Sequence, residues 1–254
     1  MALHDKLGCQ APFAKGGVMT VPFRQGQFGV RYASTPDDLA ACQALRHQCF
    51  FGRVGIDADR FDATCQHLMV ANDAGLVATA RLNVIAEMGD LSNSYTAQSY
   101  ELDPLFTQLG PFLEMGRFCI AASAQNADVL RLAWGALADF VDRYQIKMIF
   151  GCSSFSGVDA SAHARAFSLL AARYQSGAGL PRAKADEVVP LVDLGLKGGA
   201  AELPPLLRSY LAMGGKVGDQ AVIDRALQTI HVFTALDVAA IPPARARALR
   251  QMCV

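Results

Sequence analysis

The sequence predicts a single mixed α/β domain with its sheet in the middle. Three observations carry this. The candidate elements run strand, helix, acidic loop, three strands, helix, strand, helix, and then further strands and a short helix. No linker or internal repeat divides the 254 residues. Hydrophobic residues make up 52% of the chain, enough for a substantial core and too many for a disordered chain.

Residues 1–27 carry Pro12, Gly16, Gly17 and Pro22 without periodicity and read as an N-terminal arm, leaving 28–254 as the domain. Phe28, Val30 and Tyr32 alternate with smaller or polar residues and predict a first strand. Thr35-Pro36-Asp37-Asp38 then supplies an N-cap, a first-turn proline and two acids at the positive end of a helix dipole. That helix runs to about Phe50, with Leu39, Cys42, Leu45 and Cys49 inward. A polar, acid-rich stretch follows over 51–66. His67–Ala71 and Leu76–Val84 flank the turn residues Asn72-Asp73-Ala74-Gly75 and predict a hairpin. The connection from Ile85 to Pro111 is long enough to be a lid or binding loop.

Phe112–Ala121 reads as a strand and Asp128–Tyr144 as an amphipathic helix, through Val129, Leu132, Ala136, Leu137 and Phe140. Lys147–Phe155 is a near-continuous apolar run, as in a buried strand. Ala160–Ser176 and Leu206–Met213 are predicted helices, and Glu187–Leu194 and His231–Val238 predicted strands.

Lys plus Arg and Asp plus Glu are 23 each, so the net charge is zero and a general electrostatic nucleic-acid binder is excluded. No apolar stretch reaches the 18 or so residues of a spanning helix, and Met1–Lys6 lacks signal-peptide order. The expectation is a cytoplasmic protein, at most peripheral to a membrane. Seven scattered cysteines without a C-x-x-C pair read as small buried hydrophobes.

Most motif-like fragments dissolve on inspection. Asp57-x-Asp59 lacks the later ligands of a calcium loop, since Phe61, Asp62 and Leu68 stand at its fifth, sixth and twelfth places. Met213-Gly214-Gly215-Lys216 lacks the first glycine and the hydroxyl of a phosphate loop. Gly151-Cys152-Ser153-Ser154-Phe155 lacks the last glycine of a nucleophile elbow. The five histidines show no metal spacing. Arg245, Arg247 and Arg250 read as a solvated helix face.

One constellation stands out. Arg46 and Phe50 share a helix face, and Arg53, Asp57, Asp59 and Asp62 follow closely. Arg81 lies in an otherwise apolar strand, and Glu114 and Arg117 in another. Charges inside a sheet are costly unless paired. Two readings stand at this point: a structural ion-pair network under the acidic loop, or a polar pocket for a small zwitterion beside an apolar tunnel.

These residues resemble a known family. The Arg46–Phe50 pair, the acidic loop ending at Asp62, Thr79-Ala80-Arg81-Leu82 and Glu114-Met115-Gly116-Arg117-Phe118 are similar to acyl-homoserine-lactone synthases, relatives of the GNAT acyltransferases. A closer resemblance is to bacterial ornithine lipid acyltransferases. It rests on Asp57-x-Asp59-x-x-Asp62-x-x-Cys65-x-His67-Leu68, on Leu113–Ile120 and on Ile149–Asp159. It covers roughly Phe28 to Arg250.

The resemblance implies a GNAT-like fold, with a splayed central sheet flanked by helices that admits a thioester arm. It implies transfer of a 3-hydroxyacyl chain from acyl carrier protein to the α-amine of L-ornithine. The same chemistry on glutamine, or lactone synthesis from S-adenosylmethionine, are the alternatives. Glu114 is the first candidate for the base and Asp62 the second. Arg46, Phe50, Arg53, Asp57, Asp59, Arg81 and Arg117 are candidates for binding the amino acid. Backbone N–H groups at Phe118 and Cys119 are candidates for the oxyanion. No metal or cofactor is expected, only the carrier-protein thioester as co-substrate.

GNAT enzymes that use CoA commonly place glycines in the turn after the strand that corresponds to Phe112–Ala121. Here, counting from Gln125, those places hold Asp128 and Leu130, which favours a carrier protein. Arg143, Lys147, Arg182 and Lys184 are the candidate docking residues. High hydrophobicity without a spanning helix adds an expectation of transient membrane contact.

Overall fold

The computed structural model describes residues 23–107, 110–176 and 179–252. Nine strands form one sheet in the order β1-β2-β3-β4-β5-β6-β9-β8-β7. They are β1 (Phe23–Gln25), β2 (Phe28–Tyr32), β3 (Gln66–Asn72), β4 (Gly75–Ile85), β5 (Phe112–Ile120), β6 (Met148–Ser156), β7 (Val188–Pro190), β8 (Lys216–Asp224) and β9 (Thr229–Asp237). The helices are α1 (Pro36–Phe51), α2 (Ala127–Tyr144), α3 (Ala164–Arg173), α4 (Pro205–Ala212) and α5 (Pro243–Gln251).

Local signals set most element ends. The Thr35 hydroxyl accepts from the Asp38 N–H at the start of α1, and Gly52, at φ 67°, ends it. Asn72 pairs with Gly75 across the predicted two-residue turn. Four expectations need correction. Phe23–Gln25, assigned to the arm, is a strand paired with Phe28–Val30; residues 1–22 of that arm lie outside the described residues. The helix expected over Ala160–Ser176 is a 3-10 turn (Ala160–His163) followed by α3. The strand expected over Glu187–Leu194 contracts to three residues, since only Val188–Pro190 finds a partner on β8. Strand β8 was not anticipated at all.

Side-chain alternation sorts the covering layers. One face carries Val30, Leu68, Val70, Ala80, Leu82, Met115 and Ile149, packed against α2 and α4. Farther along, Phe155, Val217, Ile230 and Val232 continue that face against α3 and α4. The opposite face carries Ile85, Phe112, Met148, Phe150 and Phe233 under Tyr100, Leu102 and Leu105 of the long connection 86–111. Helix α1 lies on this second face. The connection is itself ordered into three 3-10 turns and bridges to Ala183 through Tyr100.

Among the described strand pairs the central β5–β6 alone is parallel, and it is paired only from Phe112–Met148 to Glu114–Phe150. Beyond those three pairs the strands part. Gly151 marks the point of parting: a Cβ there would meet the Met115 carbonyl oxygen at 2.3 Å, so only glycine permits the approach. On the other edge of β5 the ladder with β4 is also broken. Arg81 pairs with Gly116 and Thr79 with Cys119, so Arg117 and Phe118 together oppose Ala80. This is a β-bulge, and Arg117 takes its left-handed position at φ 51°. No described helix is long and apolar enough to cross a membrane.

Candidate active site

The bulge and the parted strands place Arg117 on the same face as Arg81 and Glu114. The acidic loop crosses over them. Arg46, from α1, is 1% exposed and grips Asp62 through both terminal nitrogens at 2.8 Å. Its Nε lies 2.9 Å from Asp57 Oδ2, and its Nη2 also donates to the Asp57 carbonyl. Arg81 donates to Asp59 at 2.5 Å and to Asp62 at 3.0 Å. Arg117 reaches Asp57 at 3.1 Å and Asp59 at 3.3 Å. Three arginines and three aspartates thus close a network from two strands, a helix and a loop.

This arrangement divides the candidates. Asp62 accepts from Arg46, Arg81, Gln43 and the Asp59 N–H, and the His67 ring contacts its carbonyl at 3.1 Å. Burial pushes the Asp62 carboxyl up, but the hydrogen bonds from Arg46 and Gln43 outweigh it and hold it well below the usual carboxylate range. A carboxylate so occupied is a poor base, and the expectation of Asp62 as second base is corrected to a structural role. Arg46 is likewise engaged with the loop, through Asp62 and Asp57. Phe50 is half-buried and Arg53 exposed, and neither joins the network.

Arg81 and Arg117 keep free capacity. Arg81 is 3% exposed, yet its Nη2 is buried without a partner. Its guanidinium lies 5.5 Å from the Phe61 ring centre and 5.7 Å from that of Tyr95. Arg117 stacks over the Tyr95 ring at 4.5 Å. Its contacts to Asp57 and Asp59 are longer than the ~2.7–2.9 Å usual for charge-assisted bonds. Beneath these groups, opposite Arg81, a Cβ on Gly116 would meet nothing within 4 Å. The space over Gly116 is therefore open, and an orphaned guanidinium donor stands beside it.

Glu114 is buried and its two oxygens accept four hydrogen bonds. Oε1 takes the Ser94 hydroxyl at 2.9 Å and the Thr96 N–H at 2.6 Å; Oε2 takes the Tyr95 N–H at 3.2 Å and Asn83 Nδ2 at 3.4 Å. Those donors fill the roughly four lone-pair positions of a carboxylate. The geometry makes Glu114 a clamp that holds residues 94–96, and with them the Tyr95 ring, over the site. Glu114→Gln should then cost about 1–3 kcal/mol in urea unfolding, because either amide orientation sets its NH₂ against protein donors. A Gln variant of unchanged stability but without turnover would instead return Glu114 to the role of base.

The thiols of Cys152 and Cys119 are poor nucleophiles. Burial pushes Cys152 up to about 12, against a contact with the Thr96 hydroxyl. The contact with Cys49, and then burial, raise Cys119 strongly. The oxyanion candidates Phe118 and Cys119 contribute their main chain at the bulge. Tyr95, Ser94 and Asp224 belong to this face and were not anticipated. They come from the long connection and from the unforeseen strand β8.

A splayed sheet with a bulged central strand beside an arginine-rich site defines a GNAT-type acyltransferase, and a model of the acetyltransferase (GNAT) domain matches residues 43–135. The L-ornithine N(alpha)-acyltransferase of Brucella abortus (strain 2308) is 31% identical over 90% of this chain and 91% of its own. That of Rhodobacter capsulatus is 28% identical over 84% and 91%. The chain belongs to the L-ornithine N(alpha)-acyltransferase family. The N-acyl amino acid synthase FeeM from uncultured soil microbes gives a TM-score of 0.45 at 13% identity, over 84% of this chain and 91% of that one.

Proposed function

We propose that this acyltransferase moves a 3-hydroxyacyl chain from acyl carrier protein to the α-amine of L-ornithine, giving a lyso-ornithine lipid. The observation that carries the reading is the open space over Gly116, on the strand that parts from β6 and opposite Arg81 with its unpartnered Nη2. A thioester arm entering between the strands brings its carbonyl carbon to the bulge. The amino acid lies on the loop face, its carboxylate toward Arg117. The amine nitrogen attacks the carbonyl carbon, backbone N–H groups at the bulge hold the oxyanion, and the C–S bond breaks as the C–N bond stays. The proton lost by the amine balances the one gained by the leaving thiolate. Ammonium with an ordinary pKa of about 8 sheds that proton to solvent often enough at mildly alkaline pH.

Helix α2 supports a carrier protein over CoA. Its N-terminus is closed by its own side chains: Asn126 caps the Asp128 N–H, and Asp128 pairs with Arg131 at 2.5 Å. A pyrophosphate there would face a carboxylate. The docking residues need re-siting. Arg143 and Lys147 lie at the far end of α2, about 27 Å from its start, where β5 and β6 are still paired. A groove of about 400 Å³ at the near end carries Arg131 and Arg245 instead. The product's single acyl chain supports reversible rather than stable membrane contact.

Purified protein is supplied with 3-hydroxyacyl carrier protein or the matching acyl-CoA, and with ornithine, glutamine or S-adenosylmethionine, and products are weighed by mass spectrometry. Acylornithine formed faster from the carrier protein, with the advantage weakening as salt rises, is the expected result. Acylglutamine or a lactone as main product would reassign the substrate, and equal use of acyl-CoA would reassign the donor.

A further inference from the structure

Resting on that reading, we infer that Asp224 selects an amino acid bearing a terminal ammonium, by pairing with it beyond the tip of the Tyr95 ring whose face carries Arg117. Asp224 closes strand β8 and lies on the same face as the long connection. Its Oδ1 accepts from the Leu227 N–H at 3.0 Å and its Oδ2 from the Tyr95 hydroxyl at 3.3 Å. Neither bond neutralises it. Its neighbour Arg225 is turned to Glu187 at 2.5 Å, and among the described residues no cation pairs with Asp224. A half-buried carboxylate without a cation is an acceptor for one.

Tyr95 relates this anion to the rest of the site. The ring face carries the Arg117 guanidinium, and the hydroxyl at its tip touches Asp224. A cation thus lies on the face of one phenol and an anion at its tip, and the Glu114 clamp fixes that phenol in place. In extended ornithine the carboxylate carbon and the terminal nitrogen lie about 6 Å apart, five single bonds. The α-carboxylate fits Arg117, whose bonds to Asp57 and Asp59 are long enough to yield to a substrate anion. The terminal ammonium then falls at Asp224. A neutral side chain such as glutamine's would leave the carboxylate unpaired, and that is the basis of discrimination.

The test compares ornithine with norvaline, which has the same carbon chain and no terminal amine, in the wild type, Asp224→Asn and Asp224→Glu. Asp224→Asn should lower kcat/KM for ornithine at least about tenfold, chiefly through KM, and change norvaline by less than about twofold. Asp224→Glu advances the carboxylate by one methylene and should shift preference to 2,4-diaminobutyrate, the one-carbon-shorter diamine. A purely structural Tyr95–Asp224 contact predicts equal losses on ornithine and norvaline, and that result, or an unchanged ornithine KM, would overturn the inference. Wild-type protein acylating neither amino acid would instead remove the proposed function, and the inference with it.

Discussion

Arg46→Met is expected to cost about 3–5 kcal/mol of folding stability, measured as the shift of the urea unfolding midpoint at pH 7. Methionine matches the aliphatic stem of arginine, so packing loss is small. The loss is electrostatic. Arg46 is 1% exposed and provides two bonds to Asp62 at 2.8 Å, and its removal leaves a 5%-exposed carboxylate held by Arg81, Gln43 and the Asp59 N–H. Asp57 loses its nearest cation as well. The cost should fall when the stranded charge is removed too: Arg46→Met with Asp62→Asn should be less destabilised than the sum of the single changes. A strictly additive pair, or an Arg46→Met protein as stable as wild type, would show that the network does not bear on folding. Arg81→Met should be milder, because Arg81 gives Asp62 one bond at 3.0 Å where Arg46 gives two at 2.8 Å.

The same network shows what a sequence can tell about a site. Arg81, Glu114 and Arg117 were visible because charge inside an apolar strand has to be compensated, and the acidic loop was the nearest compensation. What pairing cannot reveal is who is left over. Arg46 and Asp62 saturate each other, while Arg81 and Arg117 do not, and the difference is a matter of ångströms set by the bulge at Arg117. Glu114 looked like a base because a buried carboxylate needs a purpose. Its purpose became legible only with the path of the connection that brings Ser94, Tyr95 and Thr96 onto it. The fold was legible where local chemistry is strong, as at Thr35-Pro36 and Asn72–Gly75. Strand β8 was missed because its register with β9 shifts between Val217 and Ala221, which breaks the two-residue alternation of a strand. Asp224, at the end of that strand, was hidden with it.

His231→Phe should flatten the acid side of the stability profile. The His231 ring is 3% exposed, with the Tyr100 ring tilted against it at 5.6 Å and the Tyr100 hydroxyl 3.3 Å from Nδ1. Burial pushes its pKa down to about 4, against a smaller opposing pull from Asp224. Buried Cys152, itself pushed up, stays neutral throughout this range. The unfolded chain binds a proton on this histidine below about 6.5, whereas the folded protein does so only near 4. Between those values the unfolded state carries more protons, so stability rises with pH there. The contribution is fully present above 6.5 and is lost as pH falls toward 4, a total of about 3 kcal/mol at 1.36 kcal/mol per unit. Asp62, with its depressed carboxyl, loses its share only at lower pH, below the ordinary range of an unfolded aspartate near 4. Phenylalanine keeps the ring packing, and the Tyr100 hydroxyl retains its 3.0 Å bond to the residue 231 carbonyl. Urea unfolding of both proteins at intervals from pH 7 to pH 4 should therefore show the wild type losing about 3 kcal/mol more than His231→Phe. Parallel profiles would mean that the His231 proton is taken up equally in the folded and unfolded states, and would overturn the neutral buried imidazole.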